Sequence, residues 1–467
     1  MTENSSLSWT VERKAGAREE LLMTCCRELF VVFVLALMSE CAHAADLYVS
    51  PAGNDARDGK SLKSAFKTPQ HAADLAKPGD RVLFAGGEYV ATNGQGVIVV
   101  TRSGMPGKPI RFAPVPGQKP VFRNRGAWNA IKVVGASHLE FRGLHMRGMS
   151  REITREEAER ERSNLLNPRT CGNGFLIDQA KESRTVPSHI AVRDCDIRDF
   201  PGGGLSAMHA DYITFENNVV SGCGFWAPYA CSGISIYQPT DSDSKTGYKI
   251  IIRGNVSFEN YNFIPFFYSN KDNPDKRKVT DGNGIILDDF YSSQTFVSSG
   301  GKPYTGKTLV ANNVVFDNGG SGIHVFKSLG VDIVHNYAAG NNRHPEIQDG
   351  QIFSNSSKQV RVLNNVLLAP PGKPVNSDYA NEEVTYDYNL YAATDGGTPR
   401  FARDRASNIL ATPGLTLTGW AAGKRALAAT PNSPLRKAGT PVADARIDFF
   451  GKKRTAERPD IGPFLLK

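Results

Sequence analysis

The sequence lacks any apolar run near the roughly 18 residues that a membrane-spanning helix needs, so a polytopic membrane protein is excluded and no membrane span is expected. Its 45 glycines show no three-residue period, which excludes a collagen-like chain. Global disorder is excluded too, because Val, Ile, Leu and Phe recur throughout and 40% of residues are hydrophobic. Cysteine is scarce. Of seven, only Cys171, Cys195, Cys223 and Cys231 lie beyond residue 44, and their spacings of 24, 28 and 8 match no zinc pattern. In an oxidising compartment Cys223 and Cys231 could close a short loop as a disulfide; buried free thiols are the alternative.

The longest apolar run, Leu29 to Met38, suits a signal-peptide core. Arg27 precedes it, and Ala42-His43-Ala44 reads as a cleavage site. Residues 1–44 are therefore expected to be a signal peptide cut near Ala44, with Met1 or Met23 as the start, and the protein to be periplasmic or secreted. Removing them leaves 51 basic and 41 acidic residues, a formal +10. An exported basic protein suits an acidic polysaccharide and not nucleic acid. The alternative is that the charge only aids solubility.

The chain beyond residue 44 repeats itself. Glycine before a short apolar strand recurs at Gly174, Gly204, Gly233, Gly284, Gly322 and Gly350. A β-rich run ends in Asn218, Asn255, Asn313, Asn336 and Asn365, with Cys195 in the same place one repeat earlier. The shortest Gly-to-Asn and Asn-to-Gly distances give a minimal coil of 23 residues, and every excess falls in a connection. That is the behaviour of a single all-β parallel β-helix with long loop insertions. Stacked Asn side chains would form a ladder at the corners and tolerate left-handed backbone there. Thr68-Pro69 opens a short helix that would cap the solenoid's open end. The repeat core is expected over about 81–390, one domain spanning 45–467, with a loop-rich segment over 391–467. From Arg151 to Arg162, nine of twelve residues are charged, which reads as a solvated helical insertion.

The opening Asp46-Leu47-Tyr48-Val49-Ser50-Pro51-Ala52-Gly53-Asn54-Asp55, with Phe66-Lys67-Thr68, Ala76-Lys77-Pro78-Gly79-Asp80 and Gly86-Gly87-Glu88-Tyr89, resembles that of secreted right-handed β-helix proteins of the pectate-lyase-like superfamily, including family 9 polysaccharide lyases. The tail Asp448 to Arg454 with Asp460 to Phe464 resembles their closing segment. The resemblance implies a right-handed helix, and it implies a lyase using calcium, an Asp cluster and a lysine base. The family's Asp-Asp-Gly-x-Asp motif is absent, because Asp288-Asp289 is followed by Phe290-Tyr291.

Alternation places the first and third residues after each repeat Gly inside and the second and fourth outside. Tyr237, Asp288 and His324 then share one exposed face. Asp289 and Lys327 fall on adjacent coils, about 4.8 Å apart. For β-elimination, Lys327 or His324 is the candidate base, and Asp281, Asp288 and Asp289 the candidate calcium ligands. Insertions 256–283 and 290–307 would wall a substrate groove with aromatics and cations. Tyr237, Tyr268, Arg277, Tyr291, Arg343 and His344 are the candidate substrate contacts. Two alternatives stand beside the lyase: a glycoside hydrolase using a carboxylate pair from Asp281, Asp288 and Asp289, and a non-catalytic glycan-binding protein. A monomer is expected.

Overall fold

Short β-branched runs broken by glycine and asparagine wind the chain into stacked coils of three strands. A computed structural model describes residues 44–466 apart from 92, 296–300, 424 and 456; the expected signal peptide lies, except for Ala44, outside the described residues. Two 11-stranded sheets and one 9-stranded sheet run the length of the solenoid, and each strand pairs in parallel with its counterpart one coil away. Asp46–Lys467 cluster as one unit. The solenoid starts earlier than expected. Asp46–Val49 pairs with Arg81–Phe84 in full register, and the last ladder strand is Ile409–Leu410.

The cap forms as the sequence implies. In the helix Pro69–Leu75, the Thr68 hydroxyl accepts from the His71 N–H and Pro69 sits in the first turn. Its Gln70 side chain does the covering. The Gln70 amide donates to the Val99 carbonyl at 2.9 Å and its oxygen accepts from the Val99 N–H at 2.8 Å. Val99 lies in the terminal strand Gly96–Val100 of the 9-stranded sheet, so the glutamine pairs with one residue of an otherwise open edge.

The asparagine ladder is continuous. Asn218, Asn255, Asn313, Asn336, Asn365, Asn389 and Asn408 each accept the backbone N–H of the residue one coil before, starting with Cys195, at 2.8–3.0 Å. The left-handed residue is not the ladder Asn itself but its predecessor: Asn217, Asn312, His335 and Asn364 all have φ between 56° and 58°. A second ladder, Asn260–Asn318–Asn341–Gln351, runs along another corner.

Arg111, Glu140, Arg193, Glu216 and Arg253 alternate up one 11-stranded sheet as a chain of ion pairs, one cross-strand pair per coil. Arg111, Arg193 and Arg253 are thus paired within the fold.

One loop expectation changes, and the loop-rich tail, formed as expected, acquires a packing role. The charged insertion is not merely solvated: Met149, Ile153 and Ala158 pack with Phe225, Trp226 and Ile264 in a side cluster. The tail beyond residue 391 packs Trp420 and Phe464 onto Val256, Val314 and Val366 of an outer sheet. Within the tail, Asp448 and Asp460 serve as turn anchors that accept backbone N–H groups. Among the described residues no helix is long and apolar enough to cross a membrane.

Candidate active site

The inside-outside alternation holds. Leu205, Ala207, Ile234, Ile236, Ile285, Leu287, Ile323 and Val325 are all within the core. Their neighbours point outward and form the floor of a cleft of about 830 Å³: Ser235 and Tyr237, Ile286 and Asp288, His324 and Phe326. One register differs from the expectation. Ile352 pairs with Ile323 and Phe353 with His324, so Gln351, not Gly350, takes the place of Gly322. Phe353 and Asn355 therefore face the cleft, and Ile352 faces the core.

Loops roof this floor. Tyr229 to Cys231, Phe266, the stretch Val279–Asp281 and the segment 346–349 line it. Four lining residues are acidic (Asp281, Asp288, Glu346 and Asp349), and no described lining residue is Lys or Arg. Burial pushes the Asp281 carboxyl up to about 7, with Asp349 adding to the rise. Donation from Thr280 Oγ1 to Oδ2 at 2.8 Å and from Asn283 Nδ2 to Oδ1 at 2.9 Å opposes it. Asp288 is raised well above the usual carboxylate range, first by burial and then by the charge of Asp281. Gln294 Nε2 donates to its Oδ1 at 2.7 Å. A buried pair of this kind ionises one member first and holds the other protonated. His324, stacked on Phe353 at 4.7 Å, is held down to about 4 by burial and is therefore neutral.

Several expected site residues have other roles. Asp289 is fully buried in a left-handed turn, and its oxygens accept from Gln238 Nε2, Ser293 N, Ser293 Oγ and Gln294 N at 2.7–2.9 Å. That set leaves it no role as a metal ligand. Among the described residues no three His, Cys, Asp or Glu side chains converge as a metal site. Of the three expected calcium ligands, Asp289 is thus taken up by protein donors, while Asp281 and Asp288 face the cleft.

Lys327 makes no ion pair with Asp289. It occupies a left-handed position with its ammonium 5.4 Å from the Phe326 ring centroid. Its charge still favours ionisation of Asp288, as the last of the influences on that carboxyl.

Arg277 is a staple. It donates to the carbonyls of Asn270 and Arg162 and to Ser163 Oγ, and it lies 4.3 Å from the Phe267 ring centroid. It joins the insertion 256–283 to the segment 150–166 and does not line the cleft. Tyr268 packs edge-on against Phe266 and Phe267 within that insertion. The other expected wall, 290–307, includes residues 296–300, which lie outside the described residues. From its described part Gln294 lines the cleft, whereas Tyr304 is buried and donates to Asp211 Oδ1 at 2.6 Å. Tyr291 lies in the field of Lys358 and Glu382, away from the lining, and Arg343 is exposed near Asp317 at 3.7 Å. His344 is buried against Tyr261 and accepts from the Glu346 N–H, one step outside the lining. Cys223 and Cys231 form no disulfide; all four described cysteines are free. Cys223 is instead turned to the Ser221 carbonyl.

The structure brings Tyr237, Asp281, Asp288 and His324 together. It adds Gln294, Glu346 and Asp349, which sequence reasoning misses. A signal for Asp349 exists: Asp281-Gly282 and Asp349-Gly350 are both Asp-Gly steps just ahead of a cleft-floor strand.

A three-sheet parallel solenoid with a cleft on one sheet face defines a pectate-lyase-like β-helix protein. The chain belongs to the family of Pel9A-like right-handed β-helix regions, whose model matches residues 47–355. The crystal structure of pectate lyase Pel9A is similar with a TM-score of 0.52 at 18% identity, covering 92% of this chain and 98% of that one. That likeness shows the fold. A rhamnogalacturonan lyase (TM-score 0.44, 15% identity, 78% and 90% covered) and the lacto-N-biosidase of Eubacterium ramulus (0.42, 14%, 82% and 61%) are more distant structural neighbours. No curated protein matches the chain in sequence.

Proposed function

We propose that this chain is an exported carbohydrate-active enzyme, a glycoside hydrolase, with Asp281 and Asp288 as its reacting carboxylates. The observation that carries the reading is the lining itself: two coupled carboxyls with raised pKa values, and no Lys or Arg among the described residues. β-Elimination needs a positive group beside the substrate carboxylate and a base for the C5 proton. Hydrolysis needs one protonated and one ionised carboxyl flanking the bond. Asp281 has more hydrogen-bond donors and ionises first, as base or nucleophile. Asp288 keeps its proton and delivers it to the leaving oxygen. Tyr237, Phe326 and Phe353 supply flat apolar faces for sugar rings. The test is reducing-end release from a panel of neutral, amino and acidic glycans. Asp281→Asn and Asp288→Asn should each lower kcat by about 10²–10⁴-fold. Unchanged kcat in both ends the assignment.

The family match supports a second reading, a pectate-lyase-type elimination on an acidic polysaccharide. It would require a positive group beside the substrate carboxylate, and the described lining offers no side chain for that role.

A further inference from the structure

We propose that Asp349, with Glu346 beside it, forms a subsite for the ammonium group of an amino sugar, so that the cleft takes a hexosamine-containing glycan. The inference rests on the cleft being the glycosidase site of this chain. Asp281 and Asp288 are taken up by the chemistry; Asp349 is not. It lines the same cleft, on the loop that leads into the strand Ile352–Asn355. Among the described residues nothing donates to its carboxylate or pairs with it; only its backbone carbonyl is engaged, by Asn342 Nδ2 at 2.7 Å. The cation whose charge acts on it, Lys373, directs its ammonium to the Ile347 carbonyl instead. Glu346 stands exposed at the rim with Oε2 on the Val279 N–H at 3.0 Å, which leaves Oε1 free for a ligand.

A uronate entering this lining would meet four acidic side chains and no described Lys or Arg. An ammonium would meet carboxylates short of a counter-charge, and its N–H donors would fill their acceptor sites. His324 points independently to a ligand. It is only 9% exposed, lines the cleft, and has an Nε2 with no hydrogen-bond partner among the described residues. Its ring is fixed by the stack on Phe353. A buried polar atom left unsatisfied costs free energy that a bound group can recover. A neutral imidazole nitrogen complements a sugar hydroxyl or amine and does not repel a cation.

The test is calorimetric binding of three tetramers, of glucosamine, N-acetylglucosamine and galacturonate, to the Asp288→Asn protein, which blocks turnover. Glucosamine tetramer should bind about 10-fold or more tightly than its N-acetylated counterpart, and galacturonate weakest. Asp349→Asn added to that protein should erase the preference and leave affinity for the N-acetylated tetramer unchanged. If that variant melts early, Glu346→Gln at the exposed rim must reduce the preference instead. His324→Gln should weaken both amino-sugar tetramers about equally. Equal affinity for the free and acetylated amines, or tightest binding of galacturonate, overturns the proposal. Reducing-end release by the unsubstituted protein is scored separately. Its absence from every glycan sinks the glycosidase reading while the amine preference stands, and release without any amine preference sinks this proposal alone.

Discussion

Gln294 holds Asp288: its side-chain amide donates to Asp288 Oδ1 over 2.7 Å, while its backbone N–H donates to Asp289 Oδ2 over the same distance. Gln238 closes the arrangement by donating to both Asp289 Oδ2 and the Gln294 carbonyl. One aspartate is thereby fixed as a turn anchor and its neighbour is oriented in the cleft.

Gln294→Leu should act through Asp288. The lost donor favoured the ionised form, so its removal raises the Asp288 pKa further. As Asp288 works protonated, the alkaline limb of the kcat profile should move to higher pH, with kcat falling about 10-fold from mispositioning. An unshifted limb would make Gln294 purely structural.

Asp281 ties stability to pH. Its folded pKa, about 7, lies above its ordinary value of 3.8, so the folded state holds a proton that the unfolded state has released between those values. Its contribution is full below about pH 4 and is lost as pH rises toward 7, on the order of 4 kcal/mol. Asp281→Asn should therefore raise Tm at pH 8 relative to the unsubstituted protein and change it far less at pH 4. A Tm difference independent of pH would contradict the raised pKa.

The Asn ladder should carry stability well away from the cleft. Asn313 accepts from the Asn255 backbone and side chain and donates to the Ile252 carbonyl and Asn336 Oδ1. Asn313→Ala strands several buried groups, each worth about 1–3 kcal/mol. Denaturant unfolding should show a loss of at least about 3 kcal/mol, with kcat per folded molecule unchanged.

Lys327→Ala separates two uses of one residue. The half-exposed lysine over Phe326 makes no ion pair among the described residues. Its removal should change Tm by less than about 1 kcal/mol equivalent and kcat by only a few-fold, through the charge it lends to Asp288. A fall of about 10²-fold or more would make Lys327 a base and favour elimination.

The floor of this cleft is legible in the sequence because it depends on local periodicity. Two-residue alternation after each Gly places Tyr237, Asp288 and His324 on one face without any long-range information. The Asn ladder and the Thr68-capped helix are legible for the same reason. The roof is not. Arg277 and the aromatics of 256–283 read as a sugar platform, but contacts with residues 149–166, many about 100 positions away in sequence, turn Arg277, Tyr261 and Phe263 away from the cleft and leave Phe266 lining it. The adjacency of Asp289 and Lys327 misleads because backbone register does not fix where a turn side chain points. Gln238, a coil earlier, and the Ser293–Gln294 turn claim Asp289 first. The slip at Gln351 is hidden because Gly350 satisfies the repeat pattern equally well.

Product chemistry on a glycan panel decides between hydrolysis and elimination: reducing ends and unsaturated-product ultraviolet absorbance are followed together, with and without a chelator. A carboxylate-pair hydrolase should release reducing ends with no new absorbance, keep its rate in chelator, and lose activity in Asp288→Asn. Growth of the absorbance in step with cleavage, on an acidic glycan and abolished by chelator, would overturn the hydrolase reading and return the cleft to lyase chemistry.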